Sequence, residues 1–298
     1  MDLFNTSASY EQRLYLPIFE QKQVEVWMKR DDLLHPFVSG NKYRKLKYLI
    51  QDMLSQKKKH LVTFGGAYSN HLVATASAGA AAGLNTTAIV RGDEELDSPM
   101  LALCRLYGME ILQVSREEYR DKDSAFNRFF KEANSVYRIE EGGYSELGTK
   151  GCTDLLSELK TTYNHIFCAV GTGTTVAGLA NGAGNDTKVH GVMVLKGAEY
   201  LQDKIDKLLI PGKKVQLHHE FHFGGYGKFD KEIIKFIRNF AGQTGVLLDP
   251  VYTAKMMLGI NHLAENNYFK PRDKVLAVHT GGLWGLTSDK AVKLSGVL

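Results

Sequence analysis

A lysine at a predicted loop-to-helix junction is the first residue of this 298-residue chain whose setting suggests chemistry. The segment Ser39-Gly40-Asn41-Lys42-Tyr43-Arg44-Lys45 places Lys42 shortly after a glycine and within a basic cluster. A lysine becomes a nucleophile when burial and neighbouring cations lower its pKa and leave the amine uncharged. A solvated lysine without a chemical role fits the same local pattern, because most lysines are exposed. Lys42 is therefore a candidate that other segments must support.

The segment after the predicted strand Leu61–Phe64 is a second candidate. It reads Gly65-Gly66-Ala67-Tyr68-Ser69-Asn70-His71, and its glycines let the backbone turn tightly and approach a ligand. The pattern predicts a helix from about Asn70, with Ser69 at its N-cap and free amides that attract a carboxylate. Ser69 is predicted either to cap this helix or to contact such a ligand.

A turn rich in glycine and threonine follows the predicted strand His165–Val170. It reads Gly171-Thr172-Gly173-Thr174-Thr175-Val176-Ala177-Gly178. Backbone N–H groups, hydroxyls and a following helix N-terminus are typical of a phosphate-binding turn. No lysine follows the last glycine, and Val176 stands where a dinucleotide fingerprint has its third glycine. The turn therefore predicts a monophosphate site, with a tight strand–helix connection as the alternative.

Two further segments place hydroxyl groups near the ends of predicted elements. His279-Thr280-Gly281-Gly282 lies at the end of the predicted strand Val275–His279. Asp249-Pro250-Val251-Tyr252-Thr253 puts a tyrosine after a proline turn, where a helix is predicted to open. Each segment alone is a weak signal of function.

Strands and helices alternate over nearly the whole chain. This order predicts an α/β fold with mostly parallel, twisted sheets covered by helices, whose ligands bind beyond the carboxyl ends of the strands. Leucine, isoleucine and methionine at helical spacing predict a helix over Tyr43–Lys59. The predicted strands are Val24–Lys29, Leu61–Phe64, Thr86–Val90, Glu110–Val114, Val136–Ile139, His165–Val170, Val189–Leu195, Val215–Leu217 and Val275–His279.

The order of elements also predicts two domains, although no linker separates them. Residues 45–148 hold enough strand–helix units for a smaller, inserted domain. Residues 1–44 and 149–298 then form a larger domain from both ends of the chain.

Composition excludes several classes of protein. The net charge of +4 is too small to argue for nucleic acid, and no apolar run approaches the ~18 residues of a membrane helix. The three cysteines, Cys104, Cys152 and Cys168, are not spaced for a metal site or a disulfide framework. Together with an N-terminus that lacks an apolar leader, they favour the cytoplasm.

Taken together, the segments resemble those of one family. The chain is similar to the tryptophan-synthase-β-like, fold type II enzymes that use pyridoxal 5′-phosphate (PLP). Within these enzymes it most resembles the 1-aminocyclopropane-1-carboxylate (ACC) deaminase and D-cysteine desulfhydrase group. The motifs that carry the resemblance are KRDD at 29–32, SGNKYRKL at 39–46, GGAYSNH at 65–71, EGGYSELGTKG at 141–151, GTGTTVAG at 171–178, DPVYTAK at 249–255 and HTGG at 279–282.

The resemblance implies two three-layer domains, a small amino-acid substrate, PLP as the cofactor and a homodimer. It implies that Lys42 carries PLP as a Schiff base and later moves protons. Asn70 would contact the cofactor ring oxygen, and Thr280 its ring nitrogen. The phosphate would rest on the turn formed by Gly171, Thr172, Gly173, Thr174 and Thr175.

The resemblance also implies residues that act on the substrate. Ser69 and Asn70 would bind the substrate carboxylate, and Ser69 would approach the reacting atoms. Tyr226, in Phe223-Gly224-Gly225-Tyr226-Gly227, matches an active-site tyrosine of the group, and Tyr252 matches a second. His71 stands where both branches often carry glutamine. A role for His71 in binding the carboxylate or leaving group and a purely structural role both stay open.

The residue after Tyr252 bears on the reaction. ACC deaminases carry glutamate there, near the pyridine nitrogen, whereas the desulfhydrase branch carries threonine, as this chain does at Thr253. The resemblance thus implies that Thr253 is a substrate-binding residue. A neutral hydroxyl at Thr280 makes the cofactor a weaker electron sink, which suits loss of a good leaving group. The sequence therefore favours conversion of D-cysteine and water to pyruvate, ammonia and sulfide. ACC deamination, another β-substituted D-amino acid as substrate, and a catalytically silent PLP-binding protein remain alternatives.

Overall fold

The structure, a computed structural model, describes residues 5–94, 98–132 and 135–296. No helix among these residues is both long enough and apolar enough to cross a membrane. The strands are β1 (Glu11–Leu14), β2 (Glu25–Lys29), β3 (His60–Gly66), β4 (Asn85–Arg91), β5 (Glu110–Val114), β6 (Tyr137–Ile139), β7 (His165–Val170), β8 (Lys188–Met193), β9 (Gln216–His218) and β10 (Lys274–Val278). The helices are α1 (Pro17–Gln21), α2 (Asn41–Ser55), α3 (Asn70–Ala81), α4 (Pro99–Leu106), α5 (Lys122–Phe129), α6 (Glu146–Thr153), α7 (Thr174–Gly182), α8 (Leu201–Asp206), α9 (Lys231–Thr244), α10 (Thr253–Glu265) and α11 (Asp289–Ser295).

The larger sheet has the strand order β1-β2-β10-β7-β8-β9. Every neighbouring pair is parallel except β1 with β2, which is antiparallel. Alternate residues of β7 enter two different hydrophobic clusters, with Phe167 in one and Ile166 and Cys168 in the other. Both faces of β7 are therefore buried, which explains its continuous apolar sequence.

The smaller sheet has the order β5-β4-β3-β6 and is parallel throughout. All four strands come from the chain between His60 and Ile139, so this sheet is inserted between β2 and β7 of the larger one. Leu61 packs in one cluster and Val62 and Phe64 in another, so β3 is covered on both faces. The two-sheet α/β architecture is confirmed, while the domain boundaries at residues 45 and 148 stay a prediction.

The observed elements differ from the predicted ones mainly at their ends. Each predicted strand is present, with its ends shifted by no more than about two residues, as is usual for such predictions. The edge strand β1 was not predicted, because its sequence, Glu-Gln-Arg-Leu, carries three polar residues. Helix α2 begins at Asn41 and ends at Ser55, not at Lys59 as expected. Lys57 has a φ of 57°, a left-handed conformation that a helix cannot continue through.

Three buried histidines form a hydrogen-bonded chain across the larger sheet. His165 Nε2 lies 3.2 Å from Asp273 Oδ2, and its Nδ1 lies 2.9 Å from His190 Nε2. His190 Nδ1 lies 3.1 Å from His218 Nε2. Because the Asp273 carboxylate only accepts, each neutral ring donates through Nε2 and accepts at Nδ1. The chain therefore links β7, β8 and β9 in one direction.

Candidate active site

A cavity of about 380 Å³ lies at the carboxyl ends of strands from both sheets. Its size is within the range of small-molecule sites, ~300–1,000 Å³. The wall from the smaller sheet includes Gly66 and Arg91, which end β3 and β4, and the wall from the larger sheet includes Val170 and Thr280. This is the expected position for a ligand of parallel α/β sheets.

Most of the residues singled out from the sequence share this cavity. Those on its wall are Lys42, Ser69, Asn70, His71, Gly171, Thr172, Gly173, Thr175, Tyr226, Tyr252 and Thr280. Thr174 and Thr253 do not line it. Thr174 is buried at the start of α7, with its hydroxyl 3.3 Å from that of Thr172. The buried hydroxyl of Thr253 instead accepts a hydrogen bond of 2.7 Å from the backbone N–H of Asp249.

Lys42 reaches the cavity because α2 begins directly against the strand-end loop at Thr280. The backbone N–H of Asn41 donates to the carbonyl of Thr280 at 3.2 Å. Gly40, just before the helix, has a φ of 59°, and a Cβ there would lie 1.8 Å from that carbonyl oxygen. Position 40 therefore requires glycine both for its conformation and for the close approach.

The amine of Lys42 faces a second buried amine. Lys42 Nζ lies 3.5 Å from the carbonyl oxygen of Gly142, and Lys45 Nζ donates to the same oxygen at 3.1 Å. Burial, and then repulsion from Lys45, lower the pKa of Lys42 well below its usual value. The nearby Glu141 opposes this shift only in part. A lysine in this setting is available as an uncharged nucleophile and proton acceptor.

An ion network behind the cavity holds α2 in place. Arg44 donates to both oxygens of buried Asp31, at 2.5 and 2.7 Å, and to both oxygens of Glu158 at 2.9 Å. Lys29 lies 3.0 Å from Glu158. These contacts tie the first turn of the helix that carries Lys42 to the end of β2 and to the turn at Glu158.

The turn after β7 presents backbone N–H groups to the cavity. Gly173 has a φ of 88° and lies at the N-cap of α7, so the amides that follow it have no partner within the helix. Asn41 Nδ2 donates to Thr175 Oγ1 at 2.8 Å and joins this turn to the start of α2. A Cβ on Gly142 would lie 2.8 Å from the methyl of Thr172. Gly142 therefore contacts both this turn and the amine of Lys42.

The loop after β3 leaves two polar groups without protein partners. Helix α3 begins at Asn70 with Ser69 at the N-cap, but the Ser69 hydroxyl forms no capping hydrogen bond. The position was predicted correctly, whereas the capping bond was not found. Asn70 Oδ1 is buried and has no hydrogen-bond partner among the described residues. Buried polar atoms are usually paired, so both groups are available to a ligand.

His71 is held as a neutral ring in the cavity wall. Thr63 donates its hydroxyl to the carbonyl of Ile139, so it accepts from His71 Nε2 at 2.9 Å. Burial, and then the charges of Lys42 and Lys45, lower the pKa of His71 well below its usual value. With its one proton on Nε2, this ring cannot donate a hydrogen bond to a substrate carboxylate.

Two tyrosines line the cavity on the side of the larger sheet. The rings of Tyr226 and Tyr252 pack edge to face with centroids 6.1 Å apart. Burial raises the pKa of Tyr252, and the adjacent Tyr226 raises it further. Desolvation in the cavity also raises the pKa of Tyr226. Because this residue is 44% exposed, solvent reduces the size of the shift. Both hydroxyls therefore carry their protons at neutral pH.

Two buried ionisable side chains behind the tyrosines fix their positions. Asp249 Oδ1 accepts from the backbone N–H groups of Val251 and Tyr252, each at 2.8 Å. The amine of Lys255 donates to the carbonyls of His222 and Gly225, also at 2.8 Å each, and so holds the loop that carries Tyr226.

The sequence reasoning missed part of the cavity wall. Lys45, Arg91, Lys122 and Glu141 also line it, although none was singled out. Two of them could have been found from the strand pattern, because Arg91 ends β4 and Glu141 closely follows β6. In a parallel sheet, residues at those points face the ligand site.

Comparison with known proteins decides which chemistry the cavity serves. The family model described as "Pyridoxal-phosphate dependent enzyme" matches residues 12–281. The chain belongs to this family. It is therefore a PLP-dependent enzyme with the fold predicted from its motifs.

Individual relatives narrow the assignment to the ACC deaminase and D-cysteine desulfhydrase family. A Pyrococcus horikoshii protein with the provisional name 1-aminocyclopropane-1-carboxylate deaminase is 33% identical, over 91% of this chain and 89% of its own length. The mitochondrial bifunctional D-cysteine desulfhydrase/1-aminocyclopropane-1-carboxylate deaminase of Arabidopsis thaliana is 32% identical, over 92% and 76%. A crystal structure of an ACC deaminase homologue superposes with a TM-score of 0.87 at 30% identity and covers 99% of this chain and 95% of its own.

The residues of the cavity fit PLP. The N-terminus of α7 supplies amides for a phosphate, and Lys42 supplies an uncharged amine for an aldehyde. Asn70 Oδ1, which has no partner among the described residues, and the hydroxyl of Thr280 belong to residues that line the same cavity as this amine. Pyridine and phosphate groups need neighbours of this kind, and all of them border one cavity.

Proposed function

We propose that this PLP enzyme catalyses an α,β-elimination on a small amino acid, with D-cysteine and water giving pyruvate, ammonia and sulfide. The observation that carries the proposal is the desolvated amine of Lys42, which shares a cavity with the Gly171 turn and two protonated tyrosines. When bound, PLP supplies an electron sink for charge that develops at the substrate α-carbon. The protein must supply binding, orientation and proton transfer.

In this proposal residues from the elements around both sheets would hold the cofactor. Lys42 attaches it covalently, and the amides and hydroxyls from Gly171 to Thr175 bind its phosphate. Thr280 faces the ring nitrogen, and Asn70 the ring oxygen. Because a threonine hydroxyl is neutral, it does not hold a proton on that nitrogen as a carboxylate does. This setting supports a reaction that expels a stable leaving group.

The remaining groups, together with the amine of Lys42, bind the substrate and move its protons. The Ser69 hydroxyl, which caps nothing, and the first amides of α3 bind the substrate carboxylate. The amine of Lys42 takes the proton from the α-carbon. Tyr226 and Tyr252, whose hydroxyls keep their protons at neutral pH, donate to the departing sulfur. His71 helps to shape the site as a neutral packed ring.

ACC deamination is the second candidate, because both activities occur in the name of the Arabidopsis relative. Ring opening yields 2-oxobutanoate and ammonia and has no leaving group to expel. The threonine at position 253 favours elimination by resemblance alone, since its side chain lies outside the cavity. A direct contact between Thr253 and the substrate is therefore not part of the proposal.

Steady-state assays with purified, PLP-saturated enzyme test the proposal. We expect D-cysteine to yield pyruvate and sulfide in equal amounts and ACC to yield little 2-oxobutanoate. Formation of 2-oxobutanoate from ACC without pyruvate from D-cysteine would contradict it. A silent PLP-binding protein would show a visible cofactor band that no D- or L-amino acid changes. Lys42→Ala should abolish turnover, and Thr162→Ala, outside the cavity, should not.

A cytoplasmic homodimer is part of the same proposal. Cys104, Cys152 and Cys168 are buried free thiols, a state that a reducing compartment preserves. Light scattering on the purified holoenzyme measures the assembly state directly, and a mass of one chain would overturn the dimer.

A further inference from the structure

A charged cluster on the cavity wall has no part in the elimination proposed above. It consists of Arg91, Lys122 and Glu141 on the side of the smaller sheet. Arg91 Nη1 lies 2.5 Å from one oxygen of Glu141, and Lys122 Nζ lies 3.3 Å from the other. Burial alone would raise the pKa of Glu141, but Arg91 and Lys122 outweigh it and lower this pKa. The cluster therefore carries two positive charges against one negative charge.

Stability does not explain why this cluster is there. Its three side chains are 29–32% exposed, and partly exposed ion pairs contribute little to stability. A charged cluster at the mouth of a ligand cavity has a clearer use in recognition, where positive charge attracts an anion and a planar guanidinium binds a carboxylate through two N–H groups.

The guanidinium of Arg91 is held in a fixed orientation. It packs over the ring of Tyr119, with its central carbon 5.1 Å from the ring centroid. On another side it lies against Gly66, where a Cβ would come within 3.3 Å of Nη2. The Tyr119 hydroxyl is buried, and burial followed by the charge of Glu141 raises its pKa, so it stays protonated beside the cluster. An ordered guanidinium loses little side-chain entropy when it binds a ligand.

The cluster also lies on the correct side of the cavity to meet a substrate side chain. Arg91 pairs in register with Gly66, three residues before Ser69, which is proposed to bind the α-carboxylate. Across the cavity it is within electrostatic reach of Tyr226, the proposed proton donor to the leaving group. Ser69 and the amides of α3 are proposed to bind the α-carboxylate. Arg91 is therefore available to bind a group attached to the β-carbon.

We propose that Arg91 and Lys122 bind a negatively charged side-chain group of the substrate, and that the enzyme prefers such amino acids to neutral ones of the same shape. The inference rests on the proposed function, because it assumes that an amino acid occupies this cavity. The substrate class is then amino acids with an anionic substituent on the β-carbon. D-Cysteine tests the elimination chemistry, and a charged probe tests the preference.

Two isosteric probes isolate the charge. S-Carboxymethylcysteine carries a carboxylate where S-carbamoylmethylcysteine carries a neutral amide, and both enantiomers of each are to be used. Elimination moves the α-proton to the departing sulfur, breaks the Cβ–S bond and, with one water, gives pyruvate, ammonia and thioglycolate or its amide. For the holoenzyme we expect kcat/KM to be about tenfold or more higher for the carboxylate probe than for the amide probe. The affinity, read from the visible cofactor spectrum, should favour the carboxylate probe in the same way.

Four variants test which residues cause the preference for the carboxylate probe. Arg91→Gln should bring the carboxylate-to-amide ratio close to one, and Lys122→Met should lower it. Glu141→Gln removes the counter-charge and should raise the ratio. Arg116→Gln is the matched control, because Arg116 is 75% exposed, pairs with Asp93 and lies outside the cavity.

The readouts separate failure of this inference from failure of the proposed function. Pyruvate from D-cysteine with a carboxylate-to-amide ratio near one would overturn the inference and leave the elimination standing. Equal losses for both probes in Arg91→Gln would also overturn it, since that pattern indicates contact with the α-carboxylate. A charge-dependent spectral change without pyruvate supports the inference and overturns the elimination. A cofactor spectrum that no amino acid alters overturns both.

Discussion

The amines of Lys42 and Lys45 converge on one oxygen atom, the carbonyl of Gly142, at 3.5 Å and 3.1 Å. The two residues lie nearly one turn apart on α2, so their side chains emerge on the same face of the helix. Two cations this close oppose each other's protonation. The proximity therefore contributes to the reactivity of Lys42, in addition to the larger effect of burial.

Replacing Lys45 should make Lys42 less reactive near neutral pH. In Lys45→Met the repulsion is lost, the pKa of Lys42 rises, and the pH range in which the amine is uncharged moves upward. The rate of PLP uptake by apo-enzyme, measured against pH, should show its midpoint at higher pH than in the wild type. Lys47→Met, on the same helix but paired with Asp154, is the control. An unchanged midpoint would mean that burial alone sets the pKa.

A pair of glycine substitutions separates backbone strain from steric contact. Gly40 and Gly83 have φ values of 59° and 66°, but a Cβ at Gly83 meets nothing within 4 Å. Gly83→Ala should cost ~1–2 kcal/mol of unfolding free energy through its left-handed conformation. Gly40→Ala should cost about 1–3 kcal/mol more, because its Cβ collides with the Thr280 carbonyl. Urea unfolding measures both, and equal losses would contradict the close approach. Gly40→Ala should also lose bound PLP.

The buried amine of Lys255 is expected to act through Tyr226. Lys255→Met removes the two hydrogen bonds that hold the loop at His222 and Gly225. We expect kcat for elimination to fall about tenfold, equivalent to one charge-assisted hydrogen bond of ~1.5 kcal/mol, with a smaller change in KM. In a Tyr226→Phe background the same substitution should add little. Equal losses in both backgrounds would refute this coupling, and Lys290→Met is the control for a nearby exposed lysine.

Burial raises the pKa of Asp249 from its ordinary value of 3.8 to about 7. Between these values the folded protein keeps a proton that the unfolded chain has lost. The contribution of Asp249 to stability therefore falls as pH rises from about 4 to 7, by up to about 4 kcal/mol. Asp249→Asn keeps the Oδ1 acceptor for Val251 and Tyr252 but has no proton to lose. Unfolding free energies of the two proteins are to be measured from pH 5 to 8. As pH rises, the variant should become more stable relative to the wild type. A difference that stays constant with pH would refute the raised pKa of Asp249.

The central strands of both sheets were predictable because their residues are buried on both faces. Apolar runs such as His165–Val170 leave little choice of structure. Strand β1 was not predictable, because an edge strand needs no apolar face and its pairing with β2 is set by the tertiary fold. The end of α2 was misplaced because lysines at 57–59 are compatible with either a helix or the turn that actually forms.

The site was predictable where the sequence contained a local motif. Lys42, Ser69 and the Gly171 turn each occupy a distinctive junction, and the structure brings them to one cavity. Arg91 and Glu141 belong to no such motif, and only their positions at the end of β4 and just after β6 mark them as candidates. The local sequence does not reveal that the Thr253 hydroxyl bonds the backbone N–H of Asp249 and lies outside the cavity, because that orientation depends on the turn at Asp249.

The histidine chain of the larger sheet has a consequence for how its strands align. Burial lowers the pKa values of His165, His190 and His218, that of His190 to about 2, so the rings stay neutral. A slip of β8 by one residue would carry His190 to the opposite face of the sheet. Ring nitrogens on both neighbouring strands would then be buried without partners, at ~1–3 kcal/mol each. The three histidines thus help to specify the register of the sheet that carries the Gly171 turn at the carboxyl end of β7.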